Sequence, residues 1–218
     1  MSKAAADNDI LYKAAWYGLA SELLSMLVPG GWSETLMLGE ARFVVGRRLD
    51  RERKKGIAGA DGAITRFRDI LGKLSAAEPS SSEQSLAAIL EDAAQEAGVE
   101  LDTGESLLCA MTIHRDLHRL ATGDKRAICA LEVLARQRVE LKKMAGKIVC
   151  LEQLFVRLMA KHDQARVRSA VCAATHVDKA VTACFSCSSL GTTPANWIAG
   201  LSSYVRAVRA EAPTLLDS

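Results

Sequence analysis

The chain has 218 residues, 49% of them hydrophobic, which is enough for a full core, while its few aromatics (5%) and 4 prolines argue against a β-sandwich. A formal net charge of +2 permits a polyanionic partner without demanding one. No run reaches the ~18 apolar residues of a membrane span, and Met1 to Asp7 lacks the apolar centre of a signal peptide, so a cytoplasmic protein without membrane attachment is expected.

Taken in chain order, Ile10, Leu11, Ala14, Ala15, Leu19, Leu23 and Met26 recur at helical spacing, and Val28-Pro29-Gly30-Gly31 stops that helix. Thr35 to Leu38 is a short strand candidate. A helix from Gly39 to about Leu49 runs into the charged stretch Arg47 to Lys55, and Ala63 to Leu74 forms another. Ala76 to Ser85, with Pro79-Ser80-Ser81-Ser82, reads as a loop between the early helices and a second half. Ser81 with Gln84 offers a capping box for a helix through Ala97, stopped by Gly98. Asp102 caps a helix to about Arg115, and His118 to Ala121 is a strand leading into Thr122-Gly123-Asp124. Lys125 to about Met144 is helical, and Lys147 to Leu151 is a strand. Helices then follow over Glu152 to Lys161, Ala165 to Phe185, and Pro194 to Arg209 with Thr193 as cap. Strands alternating with helices predict an α/β protein with a short parallel sheet between helical layers. Ligands of such sheets bind beyond the carboxyl ends of the strands, where Asp7 and Asp124 stand.

The six cysteines, Cys109, Cys129, Cys150, Cys172, Cys184 and Cys187, lie mostly in apolar patterns and read as small buried hydrophobes of a reducing compartment. Cys184-Phe185-Ser186-Cys187 has CxxC spacing, but His176 is the sole nearby nitrogen ligand, and zinc usually needs four ligands. His114 and His118 lack an acidic partner in any metal motif, and Thr175-His176-Val177-Asp178 lacks the turn of a nucleophilic triad. Trp16, Trp32 and Trp197 read as packing residues.

The acidic positions carry the functional argument. Two carboxylates about 4 Å apart repel by roughly 4 kcal/mol at an effective dielectric near 20, so a cluster implies a bound cation or raised pKa values. Taken singly, each also has a simpler reading. Asp102 with Glu105 forms a capping box, Asp124 caps the next helix, and Asn8 and Asp9 are ordinary helix-start residues. The run Arg47 to Lys55, interrupted by Asp50 and Glu52, reads as a solvated face.

Together, three motifs resemble the PIN domain, a metal-dependent nuclease fold that includes VapC-type ribonuclease toxins. They are Asp7-Asn8-Asp9-Ile10-Leu11 opening a helix, Asp102-Thr103-Gly104-Glu105 opening an apolar helix, and Thr122-Gly123-Asp124 ending a strand. The resemblance covers roughly residues 5–155. It implies a three-layer PIN-like nuclease domain over 1–155, with 156–218 a C-terminal helical extension. Two departures stand out. Lys3-Ala4-Ala5-Ala6 lacks the Val/Ile run of a central strand, and the family's Glu after the second strand falls near Val44 or Val45, leaving Glu40 one turn earlier as substitute.

The resemblance implies a divalent-metal-dependent ribonuclease with Asp7, Glu105 and Asp124 as catalytic residues. Mg²⁺ or Mn²⁺ would be held by Asp7, Glu40, Glu105 and Asp124, supported by Asp9, Asp102 and Thr122, with Lys125 and Arg126 contacting RNA phosphates. It allows an antitoxin or other protein partner and a homodimer. The alternative is a PIN-like module that has lost catalysis and acts through protein interactions.

Overall fold

A computed structural model describes residues 3–28 and 31–218. The Pro29-Gly30 part of the expected helix stop, and the side chain of Trp32, lie outside what is described. In chain order the elements are β1 (Ala4–Ala6), α1 (Asn8–Tyr17), α2 (Ala20–Leu24), β2 (Thr35–Leu38), α3 (Ala41–Lys54) and α4 (Ala60–Leu71). The second half follows with β3 (Ser75–Ala77), α5 (Ser81–Ala97), α6 (Thr103–His114), β4 (Arg119–Thr122), α7 (Lys125–Ala135) and β5 (Ile148–Cys150). Last come α8 (Leu151–Lys161), α9 (Gln164–Cys172), α10 (Lys179–Cys184) and α11 (Pro194–Glu211).

Among the described residues the strands form one all-parallel sheet in the order β3-β2-β1-β4-β5. Because strand side chains alternate, each strand feeds two cores. Ala4, Ala6, Met37, Ala121 and Val149 join the core shared with α1–α4 and α8–α10. Ala5, Leu36, Leu38, Leu120, Ile148 and Cys150 join the core under α5–α7. The expected α/β fold of a parallel sheet between helical layers is therefore present. β1 occupies the centre although it is built of three alanines, all essentially inaccessible. Burial on both faces and pairing on both edges replace the usual β-branched run.

The segment after residue 155 is not laid loosely on the surface. Val167, Val171, Val181, Phe185, Trp197 and Leu201 share the apolar cluster of α1, and Val208 reaches the opposite core. The C-terminal strand-like segment covers the edge of β5: Ile148 donates to the Leu215 carbonyl at 2.9 Å and Asp217 donates to the Ile148 carbonyl at 2.7 Å. An open edge is thereby closed.

Several local expectations are corrected. The first helix ends at Gly18, whose φ of 63° turns the chain before α2. Ser75–Ala77, whose last two residues are expected to open a loop, pairs with β2 as a strand. The capping box at α5 is Ser80 with Glu83, not Ser81 with Gln84. The helix expected to reach Met144 stops at Ala135, and burial of Leu141 and Met144 draws Val139–Met144 into a 3₁₀ turn. The stretch Ala165 to Phe185 breaks into α9 and α10, because Asp178 caps a new helix by accepting from the Val181 N–H at 2.9 Å.

Cys172 and Cys187 form a disulfide, which corrects the reading of all six cysteines as thiols. The chain folds back over α9 and α10 and brings their Cα atoms to 5.2 Å, within bridging range. Cys187 is thus taken by the bridge while Cys184 stays a free buried thiol, so the CxxC pair offers no dithiol. Among the described residues, no helix is long and apolar enough to cross a membrane.

Candidate active site

Strand order reverses between β1 and β4, and a crevice opens at their carboxyl ends, the usual ligand position in open α/β sheets. A cleft of about 820 Å³ lies there. Asp7, Asp9, Glu40, Asp102, Glu105 and Asp124 all line it, together with Val44, Arg48, Gly123, Lys125 and Arg126. Acids scattered over more than a hundred positions of sequence thus share one surface.

Asp7 leaves β1 and caps α1, accepting from the Asn8 N–H at 2.6 Å and from the Thr122 hydroxyl at 3.3 Å. Thr122 in turn accepts from the Asp124 N–H at 3.1 Å, so one buried hydroxyl ties the two acidic turns together. Asp7 and Glu105 also border an apolar recess with Leu108, Leu120 and Leu131. Burial, assisted by the charges of Asp9 and Asp102, pushes the Asp7 carboxyl up to about 6. Glu105 rises further, to about 8, through burial and then the charges of Asp102, Asp124 and Asp7. Both shifts mark negative charge crowded into a poorly solvated place.

The capping box expected at α6 is real as well. Glu105 N–H donates to Asp102 at 2.9 Å, and Asp102 N–H donates to Glu105 at 3.1 Å. Capping and membership of the cleft therefore coincide in the same residues. Asp124 caps α7 by accepting from the N–H groups of Arg126 and Ala127, and its second oxygen pairs with the Arg126 guanidinium at 3.2 Å. Burial would raise its carboxyl, but these bonds outweigh it and hold it below the usual range. Glu40 begins α3 with no side-chain capping bond and points at the cleft wall near Gly104. Val44 also lines the cleft while Val45 is buried, so the acid at this wall is Glu40.

Close packing limits what the turn after β4 can be. A Cβ on Gly123 would stand 2.0 Å from an Asp9 carboxylate oxygen. Asp9 is held there by Lys13 at 2.5 Å, one helical turn on, and Lys13 is gripped from the other side by Asp178 at 2.6 Å. Arg48, part of the basic run that the sequence suggests is merely solvated, instead lines the cleft and reaches Asp9 at 3.5 Å. Lys13 was signalled by its i, i+4 spacing from Asp9, whereas nothing local announces Asp178.

The two cations expected to meet phosphate are already engaged. Lys125 pairs with the buried Glu152 at 2.5 Å and lies over the Tyr204 ring, while Arg126 pairs with Glu100 and Asp124. Among the described residues, no group of three or more His, Cys, Asp or Glu side chains is placed to hold a metal ion. The donor set is nevertheless of the kind that suits a hard divalent cation: it is all carboxyl oxygen, and burial disfavours the ionised form of Asp7 and Glu105, which a cation would restore. Comparison with protein families, curated proteins and solved structures gives no match for this chain.

Proposed function

We propose that the protein is a divalent-metal-dependent ribonuclease of the PIN-like type. The observation that carries this reading is the meeting of Asp7, Glu40, Glu105 and Asp124 around one cleft at the switch point of a parallel sheet. Asp7, Glu105 and Asp124, with Glu40 from the facing wall, would hold Mg²⁺ or Mn²⁺. When bound, such an ion lowers the pKa of a water and neutralises charge on the phosphate.

The chain's own residues supply the rest. Thr122 orients Asp7 and the Asp124 turn through its two hydrogen bonds. Lys13 fixes Asp9 beside Gly123, so the rim carries an acid whose charge is already balanced. Arg126 is poised to exchange Asp124 for a substrate phosphate, since both its ion pairs are solvent-exposed and correspondingly weak. RNA is the substrate in this reading, and an antitoxin-like protein or a second copy remains compatible with it.

Asp124→Asn tests the assignment. Asn caps a helix about as well as Asp, and the Arg126 pair is exposed, so stability should stay within about 1 kcal/mol. Mn²⁺-dependent cleavage of RNA should be abolished. Cleavage at the wild-type rate would remove Asp124 from the chemistry. The Arg126 clasp on Asp124 favours a second reading, a PIN-like module without activity, and absence of cleavage by the wild type with every divalent ion tried would select it.

A further inference from the structure

Helix α3 starts at the cleft with Glu40 and leads away from it carrying Arg42, Arg47, Arg48, Arg51, Arg53 and Lys54, with Lys55 following. Its two acids do not balance this charge. Glu52 is turned inward, accepting from the Tyr12 hydroxyl at 2.5 Å and the Trp16 ring N–H at 3.0 Å. Asp50 is taken by Arg53 at 3.2 Å. Among the described residues, Arg47, Arg51, Lys54 and Lys55 meet no carboxylate.

A merely solvated helix face would be polar throughout. This one presents Phe43 and Val44, 52% and 46% exposed, beside the arginines. Phe67, Phe155 and Phe185 are buried, so Phe43 stands apart from the other phenylalanines. Positions 43, 47 and 51 recur every fourth residue and climb one side of the helix in steps of about 6 Å. Next to Arg47 in sequence, Arg48 lies 3.5 Å over the Tyr12 ring and, with Glu40 and Val44, is one of the α3 residues that line the cleft. Cations in a row beside an exposed aromatic ring form the combination that tracks a single strand, phosphates on the charges and a base on the ring.

We propose that the outer face of α3 is a track for single-stranded RNA leading into the carboxylate cleft. A base stacks on Phe43, Arg47 and Arg51 take successive phosphates, and Arg48 passes the strand to the acids. The inference rests on the ribonuclease reading for the identity of the strand, but its test does not require cleavage. Binding of a short unstructured oligoribonucleotide is followed by fluorescence anisotropy in EDTA, across a salt series, beside a duplex RNA of equal length.

Phe43→Ala should weaken single-strand binding about tenfold, with Phe43→Trp restoring it, and should leave the salt dependence unchanged. Arg47→Gln with Arg51→Gln should flatten the log–log salt slope by about 1.4. All these positions are exposed, so thermal melts should match the wild type. Wild-type affinity and slope in both variants would overturn the track, as would a duplex that binds more tightly than the single strand. A change in sedimentation of Phe43→Ala with RNA binding intact would also overturn it, assigning the face to a second copy. Phe43-dependent binding without any Mn²⁺-dependent cleavage would keep the track and reject the nuclease. Cleavage with Phe43-independent binding would reject the track alone.

Discussion

Glu105 serves two masters. Its backbone and side chain close the capping box with Asp102, and its carboxyl faces Asp7 and Asp124 across a partly desolvated cleft. The folded state therefore resists ionising it, with its pKa moved from 4.5 to about 8. An acid whose folded pKa is raised costs stability as pH climbs from the unfolded value to the folded one. Asp7 acts the same way between 3.8 and about 6, so the interval from pH 6.5 to 8 reports mainly on Glu105. Without metal, wild-type Tm should fall over that interval more than Glu105→Gln, by roughly 2–4 °C, which is about 1 kcal/mol once part-exposure is allowed for. Gln keeps the hydrogen-bond acceptor of the box, so a difference between the two melts isolates the charge. Parallel pH dependences in wild type and variant would show that the cleft imposes no such strain.

At the scale of elements, much of the helical order was legible because caps and periodicity are local. Asp102, Thr193 with Pro194, and the stop at Gly98 all mark real helix ends. What was not legible was set by distant partners. Ser80-x-x-Glu83 and Ser81-x-x-Gln84 are equivalent as short patterns, and the register is chosen by Arg115. From the end of α6, Arg115 holds both oxygens of Glu83 at 2.7 Å and also donates to the Glu78 carbonyl. This pair depresses the buried Glu83 carboxyl to about 2. Arg115→Met should cost on the order of 2–3 kcal/mol in urea unfolding at neutral pH, less than a fully buried pair because Arg115 is part-exposed. An acid with a lowered folded pKa contributes stability above its unfolded value that is lost as pH falls through the folded one. The gap between wild type and variant should close as pH falls from 4.5 towards 2, and a gap unchanged by acid would contradict the pairing. The missed strand β3 has the same kind of cause, since Ser75-Ala76-Ala77 carries no strand signal and is drawn into the sheet by the exposed edge of β2.

Over the whole molecule, the acidic constellation was legible as an order of motifs, and the parallel sheet explains why order suffices. β1 and β4 pair in register through Ala4–Arg119 and Ala6–Ala121, which sets Asp7 beside the Thr122-Gly123-Asp124 turn. The support reaching the cleft from the C-terminal helices was invisible in the sequence. Asp178, inside the loop closed by Cys172–Cys187, holds Lys13, and Lys13 holds Asp9 at the rim. His176 in the same loop packs edge-on against Trp16, 4.5 Å between ring centres. Residues beyond 155 thus brace the site rather than merely follow it. The proposed function, unlike the fold, requires that the gathered carboxylates bind a divalent ion. Calorimetric titration of Mn²⁺ into the wild type, Asp7→Asn and Glu105→Gln tests it most directly. The account predicts saturable binding at sub-millimolar Mn²⁺ in the wild type and its loss in both variants; wild-type heats no larger than those of the variants would contradict it.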